Sequence, residues 1–237
     1  MSRCLALLAT FLLAVPAQAD DLTPDDVKRL ALEAILENPE IVMEAVDLLR
    51  QREAQAQRIA VRAAVTDEAA ALLANAPVMG DPAGDVAVIE FFDYNCPYCR
   101  RAKPVLSEVM EADPGVRIVA REWPILGEGS VFAARAALAS QAQGLYEPFH
   151  WALMGLSGRA ERESVLRVAE EVGLDVERLL ADMEAPEIEA HIAESMRLAE
   201  LLGFTGTPSF VIGETLLPGL VDAETMAKAV AGARETR

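Results

Sequence analysis

The chain has few cysteines, few aromatic residues and few basic side chains relative to acidic ones. Its 237 residues include 3 Cys and 5% aromatics, and 21 Lys and Arg stand against 38 Asp and Glu, giving a formal net charge of −17. This balance argues against binding to nucleic acid or to an anionic membrane surface, because both need clustered positive charge. Three cysteines are also too few for a disulfide-stapled scaffold, and the chain is long enough to bury a core without one.

Apolar runs long enough to span a membrane are also lacking. The run over residues 4–15 is about a dozen residues long, whereas a spanning helix needs roughly 20. Arg3 precedes this run, and the small residues Ala17 and Ala19 follow it. A basic start, a short apolar segment and small residues ahead of a cleavage point predict a secretory signal peptide over residues 1–19, cut after Ala19. We therefore expect an exported protein that retains two of its three cysteines.

The two remaining cysteines form the segment Cys96-Pro97-Tyr98-Cys99. An apolar run over residues 86–92 precedes it and predicts a buried strand, and a helical pattern extends from it to about Ala112. A thiol at a helix start, which we expect to be exposed, gains from free N–H groups and from the helix dipole, since both favour the thiolate. The thiolate is the form that attacks disulfides, so the segment predicts a redox-active pair.

Residues 20–75 are predicted to form a helical segment ahead of the catalytic domain. Thr23 has the pattern of a helix cap, and Asn38 is expected to cap a second helix after a break. Apolar residues recur at helical spacing in both helices, whereas residues 51–62 are almost entirely polar or alanine. The helices either fold back on their own domain or pack against another copy of the chain. The second arrangement is favoured because a polar helical arm would separate two apolar units.

The catalytic domain is expected to begin near Pro77 and to be of the α/β class. Val78-Met79 predicts a short edge strand, and residues 116–123 predict a strand that the intervening helix makes parallel to the one before the cysteines. Helical patterns alone fill residues 129–202. Residues 209–217 predict two strands joined by a turn, and a last helix follows them.

This order of elements resembles the thioredoxin fold of the DsbA family, in which a helical domain is inserted. The segment Glu90 to Cys99 resembles the family signature Glu-Phe-Phe-x-x-x-Cys-Pro-x-Cys, and Thr207-Pro208 stands ahead of the hairpin, as in the family. The resemblance covers residues 77–237 and implies a thioredoxin fold with an insertion at about 129–202. The helical segment at residues 20–75 makes the chain similar to the ScsC-like branch, whose members oligomerise through such helices and include isomerases and reductases.

The resemblance also implies roles for the cysteines and for one acid. Cys96 would be the nucleophile and Cys99 the resolving thiol. Glu90 would lie beneath the pair and relay a proton with Cys99, a task that suits a buried carboxyl with a raised pKa; the alternative is an edge-strand acid facing solvent. Tyr98 replaces the cationic His of some relatives, so we expect the pKa of Cys96 to be lowered less strongly than it is there.

Four residues are expected to bind substrate by the same resemblance, namely Pro97, Tyr98, Thr207 and Pro208. The Thr207–Pro208 bond would be cis and would lie against the cysteine pair, with an ordinary trans turn as the alternative. The Thr207 backbone would pair with an extended substrate segment as an added strand.

The function implied is a periplasmic protein thiol:disulfide oxidoreductase without a cofactor or metal, acting on exported proteins with thiols or disulfides. The favoured direction is isomerisation or reduction by a homo-oligomer supplied by a DsbD-like membrane reductant. A monomeric DsbA-like oxidase, reoxidised by a DsbB-like partner, is the alternative. A second alternative is a non-enzymatic metal carrier or holdase chaperone, although two cysteines without a nearby His leave a tetrahedral zinc site half empty.

Overall fold

The computed structural model describes residues 22–235, and its contacts divide the chain into two units at Gln55 and Ala56. The predicted signal peptide over residues 1–19 and its cleavage point lie outside the described residues. Among the residues that are described, no helix combines the length and the apolar character needed to cross a membrane.

The first unit consists of helix α1 (Pro24–Glu37) and the beginning of helix α2 (Glu40–Asp67). Thr23 caps α1 as predicted: its hydroxyl accepts a hydrogen bond from the Asp26 N–H at 3.3 Å, and the Asp26 carboxylate accepts one from the Thr23 N–H at 3.2 Å. The prediction that Asn38 caps the second helix is wrong. Its side-chain amide and its backbone N–H both donate to the Ala34 carbonyl, at 3.2 and 3.1 Å, and therefore close α1.

The second unit, over the described residues 56–235, continues from the end of α2 into a sheet and further helices. Its strands are β1 (Val78–Gly80), β2 (Val86–Phe92), β3 (Val116–Glu122), β4 (Ser209–Ile212) and β5 (Thr215–Pro218). Its further helices are α3 (Ala69–Leu73), α4 (Pro97–Ala112), α5 (Glu128–Ala139), α6 (Tyr146–Met154), α7 (Arg162–Glu171), α8 (Val176–Asp182), α9 (Pro186–Leu201) and α10 (Ala223–Glu235). Helices α5 to α9 form the insertion between β3 and β4.

The strands are ordered β1-β3-β2-β4-β5. β2 and β3 are parallel, as the crossover through α4 predicted, and the other three pairings are antiparallel. Glu90 of β2 lies opposite Ala120 of β3 and Phe210 of β4. β2 is therefore an interior strand with a partner on each side, which places Glu90 in the middle of the sheet rather than at its edge.

Apolar side chains cover both faces of the sheet, which explains the nearly continuous apolar composition of β2. One face carries Val88 and Phe92 into a large core shared with α4, α10 and the inserted helices. On the opposite face, Ile89 and Phe91 pack with residues of α9 and with Val65 and Leu72.

The end of α2 and all of α3 therefore contribute to the core of the second unit, ahead of the expected domain start near Pro77. The buried guanidinium of Arg121 in β3 adds polar contacts: it donates to the carbonyls of Leu72 at 3.0 Å and Ala74 at 3.1 Å, and to that of Ala71. Within the predicted segment 20–75, residues 56–75 therefore fold back on their own domain, which is one of the two arrangements expected for the segment.

Candidate active site

The two cysteines lie where β2 ends and α4 begins. Cys96 occupies the N-cap position of α4 with an extended backbone, and Pro97 follows as the first helical residue, where its missing N–H costs nothing. The structure contains both cysteines as thiols. The Cys96 residue is only 4% exposed, so the expectation of an openly exposed thiol is wrong, whereas Tyr98 beside it is 53% exposed.

The surroundings of Cys96 favour its thiolate. A hydrogen bond from the Cys99 thiol is the largest influence, and the Thr207 side chain and the N–H groups of Cys99 and Tyr98 add to it, so that the pKa of Cys96 falls to about 5 despite partial burial. In the thiol form, Cys96 Sγ donates to the Thr207 carbonyl oxygen at 3.2 Å. At neutral pH the group is therefore a thiolate, the form needed for nucleophilic attack.

Cys99 and Glu90 lie deeper and have the opposite tendency. Burial raises the pKa of Cys99 well above its usual value, with the hydrogen bond to Cys96 and the charge of Glu90 acting in the same direction. Burial, followed by the charge of Cys96, raises the pKa of Glu90 to about 8. Among the described residues neither carboxylate oxygen of Glu90 has a hydrogen-bond partner. The site thus combines one ionised thiol with a neutral thiol and a neutral carboxyl beneath it.

The Thr207–Pro208 segment lies against Cys96, as the hydrogen bond from Sγ to the Thr207 carbonyl demonstrates. The peptide bond between the two residues is cis, as predicted. Pro208 directly precedes β4, and the Ser209 hydroxyl holds the turn by donating to the Gly206 carbonyl at 2.7 Å. The structure therefore brings together residues 96–99, Glu90 and Thr207-Pro208, as the resemblance implied.

The loop between β2 and Cys96 contains two site residues that sequence analysis did not identify. The buried carboxylate of Asp93 accepts hydrogen bonds from the N–H groups of Asn95 at 2.7 Å, Ile125 at 2.8 Å and Leu126 at 2.9 Å. The Asp93 carbonyl accepts the Cys96 N–H at 3.0 Å. Asp93 thus fixes the backbone directly before the nucleophile and ties it to the loop that follows β3.

Asn95 links the same loop to the insertion. Its amide nitrogen donates to the Ser130 hydroxyl and to the Ala160 carbonyl, both at 3.1 Å, and its amide oxygen accepts the Ala160 N–H at 2.8 Å. Arg100 makes a parallel link from α4, since its guanidinium donates to the carbonyls of Tyr94, Leu156 and Gly158 at 2.6 to 3.0 Å. The polar residues ahead of Cys96 are the sequence signal for these contacts with the insertion. Their hydrogen-bond partners are remote in sequence, so the contacts themselves could not be predicted.

No cluster of three or more His, Cys, Asp or Glu side chains with the arrangement of a metal site occurs in residues 22–235.

Two family models match the chain. The model described as DSBA-like thioredoxin domain matches residues 87–231, which is more than half of the chain. The model described as Copper resistance protein ScsC N-terminal domain matches residues 25–56, a range that nearly coincides with the first structural unit.

Solved structures show the same relationship. A thioredoxin-like oxidoreductase from Silicibacter pomeroyi DSS-3 is 64% identical, with a TM-score of 0.67, over 68% of this chain and 94% of that one. ScsC from Proteus mirabilis, in a transitional conformation, is 26% identical with a TM-score of 0.67, and the match covers 94% of this chain and all of that one.

The first curated relatives are much longer proteins. A Na(+)/H(+) antiporter from Salinispora tropica is 30% identical over 158 residues, which are 66% of this chain but 24% of the antiporter. The chain thus spans about a quarter of the length of such relatives, and the similarity is one of a domain. Together with the thiol pair and the fold, the family models show that the chain belongs to the DsbA-like thioredoxin family and is ScsC-like.

Proposed function

We propose that the protein is a periplasmic disulfide isomerase or reductase that works as a homo-oligomer assembled through its N-terminal helices. One observation carries the proposal: the apolar side chains of α1 and of the start of α2 are exposed. The exposed large apolar residues there are Val27, Leu30, Leu32, Ile35, Leu36, Ile41, Val42, Met43, Leu48 and Leu49. Helices of a stable fold bury such a stripe, and a second copy offers a matching one.

The proposed chemistry starts with the Cys96 thiolate. It attacks one sulfur of a substrate disulfide, the new bond forms between Cys96 and that sulfur, and the other substrate sulfur leaves with the electron pair. In the mixed disulfide Cys96 carries no charge and no longer raises the pKa of Glu90. The ionised form of Glu90 then takes the proton of Cys99, whose sulfur attacks Cys96; the bond from Cys96 to the substrate breaks, the substrate sulfur leaves with the electron pair, and the Cys96–Cys99 pair is oxidised. In isomerisation, the freed substrate thiolate instead attacks the mixed disulfide or another substrate disulfide, and Cys96 is regenerated.

The proposed substrate surface surrounds the partly hidden nucleophile. The Thr207 backbone would pair with an extended substrate segment, and Pro208 would limit access to Cys96 from that side. Pro97 and the exposed ring of Tyr98 would contact the same segment, with the Arg101 guanidinium 5.5 Å from the centre of that ring. Exported proteins carrying thiols or disulfides are the substrates that this surface would take.

The direction of the reaction depends on how the pair is kept reduced. A DsbD-like membrane reductant would supply electrons to the Cys96–Cys99 disulfide, and an oligomer would keep a DsbB-like oxidant away from it. Several active sites in one assembly would also hold a scrambled substrate while its disulfides exchange. The similarity to ScsC across both units supports this direction over a DsbA-like oxidase.

Light scattering on the exported chain, residues 20–237, tests the assembly. We expect an oligomer in the wild type and a monomer in the double variant Ile41→Glu, Leu49→Glu, because two carboxylates would be buried in the contact. The matched control is Gln51→Glu, which adds a charge to an exposed polar position of the same helix. A monomeric wild type would contradict the proposal and favour the oxidase.

Refolding of a scrambled disulfide substrate tests the direction. The oligomer should restore the native pairing, and the monomeric double variant should lose this activity while still reducing a small disulfide. Cys99→Ala should accumulate mixed disulfides with Cys96 in either direction. If no mixed disulfide is trapped, the chain is a binding protein, and the proposed exchange mechanism fails.

A further inference from the structure

A second carboxyl, Glu122, is buried beside Glu90 and has no part in the chemistry described so far. Glu122 is the last residue of β3 and is 0% exposed. Glu90 lies opposite Ala120 in the parallel register of β2 and β3, and Phe92 lies opposite Glu122. Because side chains alternate along strands, both carboxyls are on the same face of the sheet. The two residues are on neighbouring strands, about 4.8 Å apart, and are offset by two positions along the strand, about 6.6 Å.

One oxygen of Glu122 is held by two tyrosines. Tyr94 and Tyr146 each donate a hydroxyl hydrogen to Glu122 Oε1 at 2.9 Å. The Tyr94 hydroxyl also lies 3.0 Å from His150 Nδ1. Since the single Tyr94 hydrogen is used toward Glu122, His150 Nδ1 is the donor to the Tyr94 oxygen. The hydrogen bonds therefore run from His150 through Tyr94 to Glu122, with Tyr146 donating from the side.

The other oxygen of Glu122 is left without a partner. Within the described residues, Glu122 Oε2 and both oxygens of Glu90 are buried and form no hydrogen bond. Glu122 Oε1 already receives two O–H donors, so a neutral Glu122 carries its hydrogen on Oε2. Burial raises the pKa of Glu122 well above its usual value and outweighs the hydrogen bonds from Tyr146 and Tyr94, which act in the opposite direction; the charge of Asp93 adds to the increase, so Glu122 is neutral. A buried O–H without an acceptor is costly, and the Glu90 carboxyl, on the same face of the neighbouring strand, is the class of acceptor that it lacks.

We propose that Glu122 is a positioning residue for Glu90: held at one oxygen by Tyr94 and Tyr146, it donates a hydrogen bond from the other to the Glu90 carboxylate. This inference rests on the proposed role of Glu90 as proton carrier for Cys99. When an incoming thiolate attacks Cys96 of the oxidised pair, the Cys96–Cys99 bond breaks and Cys99 leaves with its electron pair. Cys99 takes the Glu90 proton, and the Glu122 O–H then stabilises the new Glu90 carboxylate.

The charged and titratable groups around this pair come from every neighbouring element. β2 and the following loop supply Glu90, Asp93 and Tyr94, and α4 supplies Cys96 and Cys99. α6 supplies Tyr146 and His150, and burial lowers the pKa of His150 to about 3, so it stays neutral. From α9, His191 Nε2 accepts the Glu122 backbone N–H at 3.3 Å, and burial lowers its pKa to about 4.

Titration of the Glu90 carboxyl by ¹³C NMR in the reduced full chain, with the signal assigned through Glu90→Gln, tests the inference. Glu122→Met removes the donor, and the Glu90 inflection should rise by roughly one pH unit or more. Glu122→Gln keeps an acceptor for both tyrosines and an N–H donor in place of the O–H, so the inflection should stay near the wild-type value. If Glu122 were instead ionised, both variants would remove a like charge and lower the inflection.

Tyr146→Phe is the control for a merely structural role. It breaks the same buried set of hydrogen bonds but leaves the Glu122 O–H, so we expect a smaller shift than in Glu122→Met. Equal shifts in the two variants, or no shift in Glu122→Met, would overturn the inference. The role of Glu90 itself is tested separately by the rate at which a small dithiol reduces the disulfide. An unchanged rate in Glu90→Gln would refute that role whatever the NMR titration gives.

Discussion

Replacing Glu90 with glutamine should stabilise the reduced protein increasingly as the pH rises. The folded protein holds a proton on Glu90 up to a pKa of about 8, whereas an unfolded chain releases it near 4.5. The folded state therefore binds more protons across this window, and its stability falls as the pH rises through it. Between pH 5 and pH 8.5, the ionisable Glu90 should cost about 3–4 kcal/mol that glutamine does not.

Urea unfolding of the reduced wild type and of Glu90→Gln at pH 5 and pH 8.5 measures this difference. The quantity compared is the change between the two pH values, because the fixed cost of burying an amide without partners cancels. Glu111→Gln, at an exposed position of α4, is the matched control and should give almost no pH-dependent change. If Glu90→Gln gains no stability relative to the wild type between pH 5 and pH 8.5, burial does not keep Glu90 neutral, and the argument fails.

Three further outcomes are expected. Alkylation of Cys96 by iodoacetamide should show an inflection near pH 5, and Thr207→Val should move it upward; a wild-type rate that rises only above pH 8 would contradict a stabilised thiolate. Asn95→Ala should lower the free energy of unfolding in urea by roughly 1–3 kcal/mol, since the buried Ala160 groups lose their partners, and an unchanged midpoint would show the link to the insertion to be dispensable. Arg121→Met should lower the free energy of unfolding in urea by roughly 2–3 kcal/mol, because three carbonyls at the end of α3 lose their donor. An unchanged free energy of unfolding would mean that water replaces the guanidinium.

Most of the fold was predictable because its signals are local. The apolar run of β2, the turn before β3 and the paired strands near the C-terminus have the predicted bounds to within about a residue. The division at Gln55 and Ala56 was not predictable, since α2 continues without interruption across it. Which part of a continuous helix packs on a core depends on Val65 and on Leu72 of α3, and their partners are remote in sequence.

The candidate site was predictable where one residue carries an unusual signal. Glu90 stands out as an acid within an apolar strand, and Cys96 and Cys99 stand out by their spacing. Glu122 does not, because Arg121-Glu122 at the end of a strand has the pattern of a solvated turn. Both are nevertheless almost fully buried, because the sheet is covered on its two faces and both side chains find partners from other elements.

The contact between Cys96 and Thr207 joins residues 111 positions apart, and it exists only after β4 has paired with β2 across the whole inserted helical block. Contacts of such sequence separation carry a larger loop-closure cost than contacts within one helical turn. A chain in which β4 is not yet paired with β2 therefore lacks the Thr207 contribution to the Cys96 thiolate, whereas the hydrogen bond from Cys99 and the N–H groups of Cys99 and Tyr98 come from residues next to Cys96. The topology thus ties one part of the stabilisation of the nucleophile to the completed sheet and leaves the largest single part with Cys99, in the first turn of the same helix.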